Sequence, residues 1–196
     1  MREDFYRIKR LPPYIFSEIN NLKADLRKKS VDIIDFGMGN PDIDAGQHII
    51  NKLIETSKKP KVHRYSASKG IPGLRRAKAK YYENRFGVKL DPETEIITTL
   101  GSKEGLANLA SAITAPGDLA LVPNPTYPIH AYGFMIAGGT LRHIPALNNG
   151  VFDPEEYMSS LSRAVAHSIP KPIAIVISFP SNPTAQLCDL DFYKEL

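Results

Sequence analysis

Apolar residues recur at two spacings along this chain, and the two spacings alternate through its second half. Ile15, Ile19, Leu22 and Leu26 return every three or four positions with polar residues between them, which predicts a helix over 14–29. The preceding residues, 1–13, read as an irregular arm closed by Pro12 and Pro13. A short strand is expected at 33–36, broken by Gly37, Gly39, Asn40 and Pro41. Ile49, Ile50, Leu53 and Ile54 give a helix over 48–57 its apolar side. A helix over 71–86 carries Pro72 in its first turn, where the missing amide costs nothing, and ends at Gly87.

From there strand and helix signals take turns. Strands are predicted at 95–99, 119–122, 140–144 and 173–179, and helices at 102–113, 128–137, 154–166 and from 189 onward. The segments 119–122 and 173–179 are almost wholly apolar, the pattern of strands buried on both faces. The expectation is an α/β fold, a sheet covered by helices on both faces.

Composition narrows the function. With 196 residues, 42% hydrophobic and 23% charged, the chain is of ordinary globular make-up. Its net charge of +4 comes from lysines and arginines scattered among acids, which argues against nucleic-acid binding. Cys188 is the one cysteine, so neither an intrachain disulfide nor a cysteine-based zinc cluster is available. No histidine spacing suggests a metal site. MREDFYRIKR lacks the apolar centre of a secretory signal, and no stretch approaches a membrane span. These features predict a cytoplasmic protein that uses neither metal nor membrane.

Three segments carry candidate chemistry, each following a predicted strand. In TTLGSKEGLANLASAI (98–113), Gly101 turns the chain into a helix whose first amides can cradle a phosphate, with the Ser102 hydroxyl and the Lys103 ammonium beside them. Ser102 as a plain N-cap, with Glu104 favouring the dipole, is the structural alternative. In VPNPTYPIHAYG (122–133), three prolines stiffen the loop around Tyr127, whose ring either stacks on a flat heterocycle or packs at the surface. His130 and Tyr132, further into the helix, read as structural. In ISFPSNPTAQL (177–187), the Asn182 amide either reaches a ligand oxygen or bonds its own backbone in a turn. Open α/β sheets bind ligands at this edge. A phosphate cradle, an aromatic plate and an amide together suit a phosphorylated aromatic cofactor. No P-loop, dinucleotide fingerprint or serine-hydrolase elbow is present.

Five segments, DFGMGNPD (35–42), HRYSASKGIPGLRRA (63–77), GSKEGLANLA (101–110), PNPTYPIHAYG (123–133) and FPSNPTA (179–185), make the chain resemble the N-terminal half of class I/II aminotransferases, pyridoxal-phosphate enzymes of fold type I. The likeness leans towards the bacterial alanine transaminase and LL-diaminopimelate aminotransferase branch.

The resemblance implies a three-layer α/β/α large domain, incomplete over 46–196, preceded by an arm and small-domain segment over 1–45. It implies pyridoxal 5'-phosphate as cofactor, with Ser102 and Lys103 on its phosphate, Tyr127 on its ring and Asn182 on its phenolic oxygen. Tyr65 would reach the phosphate in the partner subunit of a homodimer, and Gly39 would line the substrate carboxylate pocket. The implied reaction moves an amino group between an L-amino acid, with alanine favoured, and 2-oxoglutarate. The family's Schiff-base lysine is expected beyond Leu196, so no catalytic residue is assigned here and the 196 residues alone are expected to be inactive. A carbon–sulfur β-lyase of the same fold, or a non-catalytic fragment, is the competing reading. Ala185 stands where the family has glycine, which predicts strain in that turn.

Overall fold

In the computed structural model, which describes residues 5–37, 39 and 41–196, the strand β1 (Leu119–Asn124) organises the second half of the chain. Its side chains alternate between two cores, as the period of a strand requires. Leu119 and Leu121 join Ile144, Tyr157, Met158, Leu161 and Phe192 on one face, whereas Ala120 and Val122 join Ala110, Ala131 and Phe134 on the other. β1 is therefore buried on both sides, as its unbroken apolar run predicted. It pairs in parallel with β2 (Thr140–Pro145) and with β3 (Pro172–Ile175), in the order β2-β1-β3.

The helices follow from the same two cores. α5 (Ser102–Ile113) and α6 (Pro128–Ala137) cover the Ala120/Val122 face, and α7 (Pro154–His167) and α8 (Leu190–Glu195) cover the other. The result is a three-layer α/β/α arrangement. α5 and α6 pack against each other at Gly133, where even an added Cβ would meet that of Ala110 in ordinary contact at 3.5 Å. α7 starts at Asp153, whose carboxylate accepts the Glu156 amide at 3.1 Å. The arm is not wholly irregular. Its residues Tyr6–Lys9 form a single turn of helix, α1, and Arg10 donates to the Gly139 carbonyl at 2.9 Å.

The chain divides into two compact units, residues 1–11 with 99–196 and residues 12–98. The second unit holds α2 (Ile15–Lys28), α3 (Gln47–Ser57) and α4 (Pro72–Phe86), and α4 closes at Gly87 in the left-handed region. Its anchor is Arg75, only 3% exposed, which donates to the carbonyls of Pro92 (2.8 Å) and Gly70 (2.6 Å) and to the Glu93 carboxylate (2.6 Å).

Two predicted strands are absent, and a third is shortened. Residues 33–36 make no ladder. Asp35 instead accepts from Gly37 N and Lys23 Nζ, both at 2.9 Å, and leaves Ile34 and Phe36 exposed. Residues 95–99 have β-branched side chains, but Asp91 draws Glu93, Thr94 and Glu95 into a turn, and only Thr98 N, on Lys69 O, makes a strand-like bond. A strand needs a partner as well as propensity. The 173–179 run stays beside β1 only as far as Val176, whose amide reaches Leu121 O at 2.9 Å, and then turns away.

Candidate functional site

The chain leaves β1 and β3 in opposite directions. After β1 it enters α6 on one face of the sheet, and after β3 it reaches α8 on the other. Their carboxyl ends diverge and leave a crevice between them, the switch point at which open α/β sheets take ligands. Pro125 and Thr126 line it from the β1 side, and Ser178, Ser181 and Asn182 from the β3 side. It spans about 380 Å³ including its open mouth. Phe179 and Tyr157 form its floor. Phe179 meets Phe152 at 5.0 Å and Phe192 at 5.5 Å between ring centres. Burial pushes the Tyr157 hydroxyl up to about 12.

The neighbouring turn into α5 is set by Gly101, at φ 90° and ψ 160°, a conformation that favours glycine. Gly101 has no side chain with which to cap the helix. Ser102 opens α5, and its hydroxyl makes no hydrogen bond among the described residues. Lys103 Nζ lies 5.4 Å from the centre of the Tyr127 ring, a cation–π contact that links the helix start to the loop after β1.

Tyr127 is braced from its other neighbour too. The His130 ring meets it edge-on, 6.0 Å between centres at 75°, and His130 Nδ1 shares a 2.7 Å hydrogen bond with Thr126 Oγ1. Desolvation holds the His130 pKa below its ordinary value, so the ring is neutral at neutral pH. His130 thus has the structural role expected of it, packing against Tyr127 and Thr126. The four-residue spacing of Thr126 and His130 across a helix start was the available sequence signal. Thr126 and the aromatic floor were missed although Thr126 lies in the 123–133 segment and Phe179 opens the 179–185 one, because spacing does not show which way their side chains point.

Asn182 sits in a closed loop. Ser181 N donates to Gln186 O at 2.9 Å, Ala185 N donates to Ser181 O at 2.7 Å, and the Ser181 and Thr184 hydroxyls are bonded to each other. The Asn182 carboxamide makes no hydrogen bond among the described residues and faces the crevice lining. Ala185 adopts φ 57°, so the predicted strain is present in the backbone.

The structure therefore brings Lys103 to Tyr127, and Asn182 to the crevice that Thr126 also lines. Gly39 and Tyr65 belong to the other compact unit. Tyr65 is fully exposed there, and among the described residues none comes within 4 Å of where a Cβ on Gly39 would stand. Met38 and Asn40, beside Gly39 in its motif, lie outside the described residues. Among the described residues no group of three histidine, cysteine, aspartate or glutamate side chains could hold a metal, and no helix is long and apolar enough to cross a membrane.

A hydroxyl, an ammonium, an aromatic face, an uncapped helix start and a carboxamide are chemically suited to a phosphorylated aromatic ring. Comparison with known proteins agrees. Residues 31–196 match the family model for aminotransferase class I and II, and the chain belongs to that family, whose members depend on pyridoxal 5'-phosphate. It is 59% identical over 194 residues to AatC of Rhizobium meliloti, covering 99% of this chain and 47% of that protein. It is 49% identical over 192 residues to the glutamate-pyruvate aminotransferase AlaC of Escherichia coli, covering 98% and 45%. Among solved structures, a single mutant of Thermus thermophilus aspartate aminotransferase superposes with a TM-score of 0.82 at 29% identity, covering all of this chain and 49% of that one. The chain spans about half the length of the curated relatives it matches.

Proposed function

We propose that these residues form the phosphate- and ring-binding part of an aminotransferase that moves an amino group between L-alanine and 2-oxoglutarate. The observation that carries the reading is the crevice at the switch between β1 and β3, with Tyr127 and Lys103 in contact beside it. The similarity to a glutamate-pyruvate aminotransferase supports alanine as donor.

Each residue has a role set by its chemistry. The Lys103 ammonium and the Ser102 hydroxyl hold the phosphate, helped by the positive end of α5. Tyr127 offers its ring face to the pyridine, held in place by Lys103 and His130. Asn182 donates its amide to the phenolic oxygen, and the aromatic floor of Phe179 and Tyr157 excludes water beneath it. Pyridoxal 5'-phosphate, bound there, supplies the aldehyde and the electron sink for amino transfer. Tyr65 reaches the phosphate of a second subunit in a cytoplasmic homodimer, and Gly39 lines the substrate carboxylate pocket. The arm and small-domain segment is 1–45, and the cofactor-binding domain begins at 46.

None of the lysines in this chain is assigned to bond the cofactor aldehyde. Lys103 is committed to the phosphate end. A polypeptide of residues 1–196 alone is expected to show no turnover. The test is product analysis of the full gene product with L-alanine, 2-oxoglutarate and cofactor. Pyruvate and glutamate in equal amounts support the reading. Ammonia without glutamate, or no product at all, overturns it.

A further inference from the structure

Glu104 is unusual for an acidic residue in the first turn of a helix. Its Oε2 accepts the Leu100 amide at 2.5 Å, one residue ahead of the N-cap. In an ordinary capping box the third residue reaches the N-cap amide itself while a serine or threonine N-cap completes the exchange. Here the N-cap is Gly101, so that second half does not exist. The turn has one further brace: Thr99 Oγ1 donates at 2.9 Å to Gly101 O, the carbonyl that also accepts the first regular helical bond, from Gly105 N at 3.2 Å. Gly105 has little room to change, since a Cβ there would stand 3.0 Å from Thr99 Oγ1.

We propose that Glu104 is a positioning residue for the phosphate cradle. It acts through the Leu100 bond, which fixes the Gly101 turn and so sets where Ser102 and Lys103 present their groups. This rests on the reading that the start of α5 takes the cofactor phosphate. The role is geometric rather than electrostatic. A carboxylate beside a phosphate dianion repels it, so the charge itself is a cost that the turn geometry outweighs. Glutamine keeps the acceptor oxygen and loses the charge. Alanine loses both.

The experiment compares affinities for pyridoxal 5'-phosphate and for pyridoxal in the full gene product, its Glu104→Ala variant and its Glu104→Gln variant. The ratio of the two affinities isolates the grip on the phosphate. Hydrogen exchange at the Leu100 amide is followed in parallel. Loss of the hydrogen bond to the Leu100 amide predicts that Glu104→Ala lowers the ratio about tenfold and speeds Leu100 exchange. Glu104→Gln is expected to keep the ratio within about twofold of the parent, or to raise it. An unchanged ratio in Glu104→Ala overturns the inference, as does an equal loss in both variants. A parent protein that binds both compounds equally weakly overturns the reading of the site and the inference with it.

Discussion

The ammonium of Lys103 stands 5.4 Å from the centre of the Tyr127 ring, although Lys103 lies in the first turn of α5 and Tyr127 in the loop that follows β1. In the proposed site one cation would serve both ends of the ligand: it would hold the phosphate, and it contacts the ring that would lie on the pyridine. Lys103→Met keeps an apolar stem and removes the charge. Affinity for pyridoxal 5'-phosphate is expected to fall about tenfold or more, the worth of one charged hydrogen bond. Fluorescence titration reads it, and an unchanged dissociation constant would remove Lys103 from the site.

Ala185 offers a gain. At φ 57° its Cβ crowds the backbone at a cost of about 1–2 kcal/mol, which glycine does not incur. Glycine also frees the unfolded chain, at a cost of about 0.4–1 kcal/mol. Ala185→Gly should therefore stabilise the protein by about 0.5–1 kcal/mol, read as a higher urea midpoint with the same slope. A lower midpoint would mean that the alanine turn is unstrained.

Arg75 predicts the opposite. Its guanidinium satisfies two carbonyls and a carboxylate while almost fully buried. Arg75→Ala strands those acceptors and should cost about 2–4 kcal/mol. Arg75→Lys cannot reproduce the forked geometry and should recover only part of that. Thermal unfolding separates the three proteins, and a loss within error for Arg75→Ala would rule out the anchoring role.

His130 and Tyr157 set two different pH windows. The folded pKa of His130 is depressed, so as pH falls through 6.5 the unfolded chain takes up the proton first. Stability present above 6.5 should decline as pH drops towards the folded value, and His130→Asn should flatten that decline. Tyr157 titrates at about 12 when folded against an ordinary 10.0. Its contribution is complete below 10 and should be lost between 10 and 12, a loss absent in Tyr157→Phe. Carboxylates act lower still, as with Glu55, held down to about 2 by Lys59 and Lys52. Urea midpoints across pH 5 to 12 check both signs.

The helices were legible because their signals are local. Pro72, Gly87 and the apolar stripe of α2 each act within a turn or two of sequence, and the observed bounds fall within two residues of those expected. The strands were legible only where a partner exists. Ile33–Ile34 and Ile96–Ile97 have strand-forming side chains, yet they lack a ladder, and that depends on residues far away in sequence. The site divides in the same way. Ser102, Lys103, Tyr127 and Asn182 stand at element ends that the sequence marks. The Lys103–Tyr127 contact, the Thr126–His130 bond, the Leu100–Glu104 brace and the Phe179–Tyr157 floor depend on side-chain directions that spacing alone leaves open.

The most direct measurement is a nuclear magnetic resonance titration of the isotope-labelled full gene product with pyridoxal 5'-phosphate. Saturable shifts are expected at the Ser102 and Lys103 amides, the Tyr127 ring and the Asn182 carboxamide. Saturable shifts elsewhere that leave these four groups unmoved would contradict the proposed site.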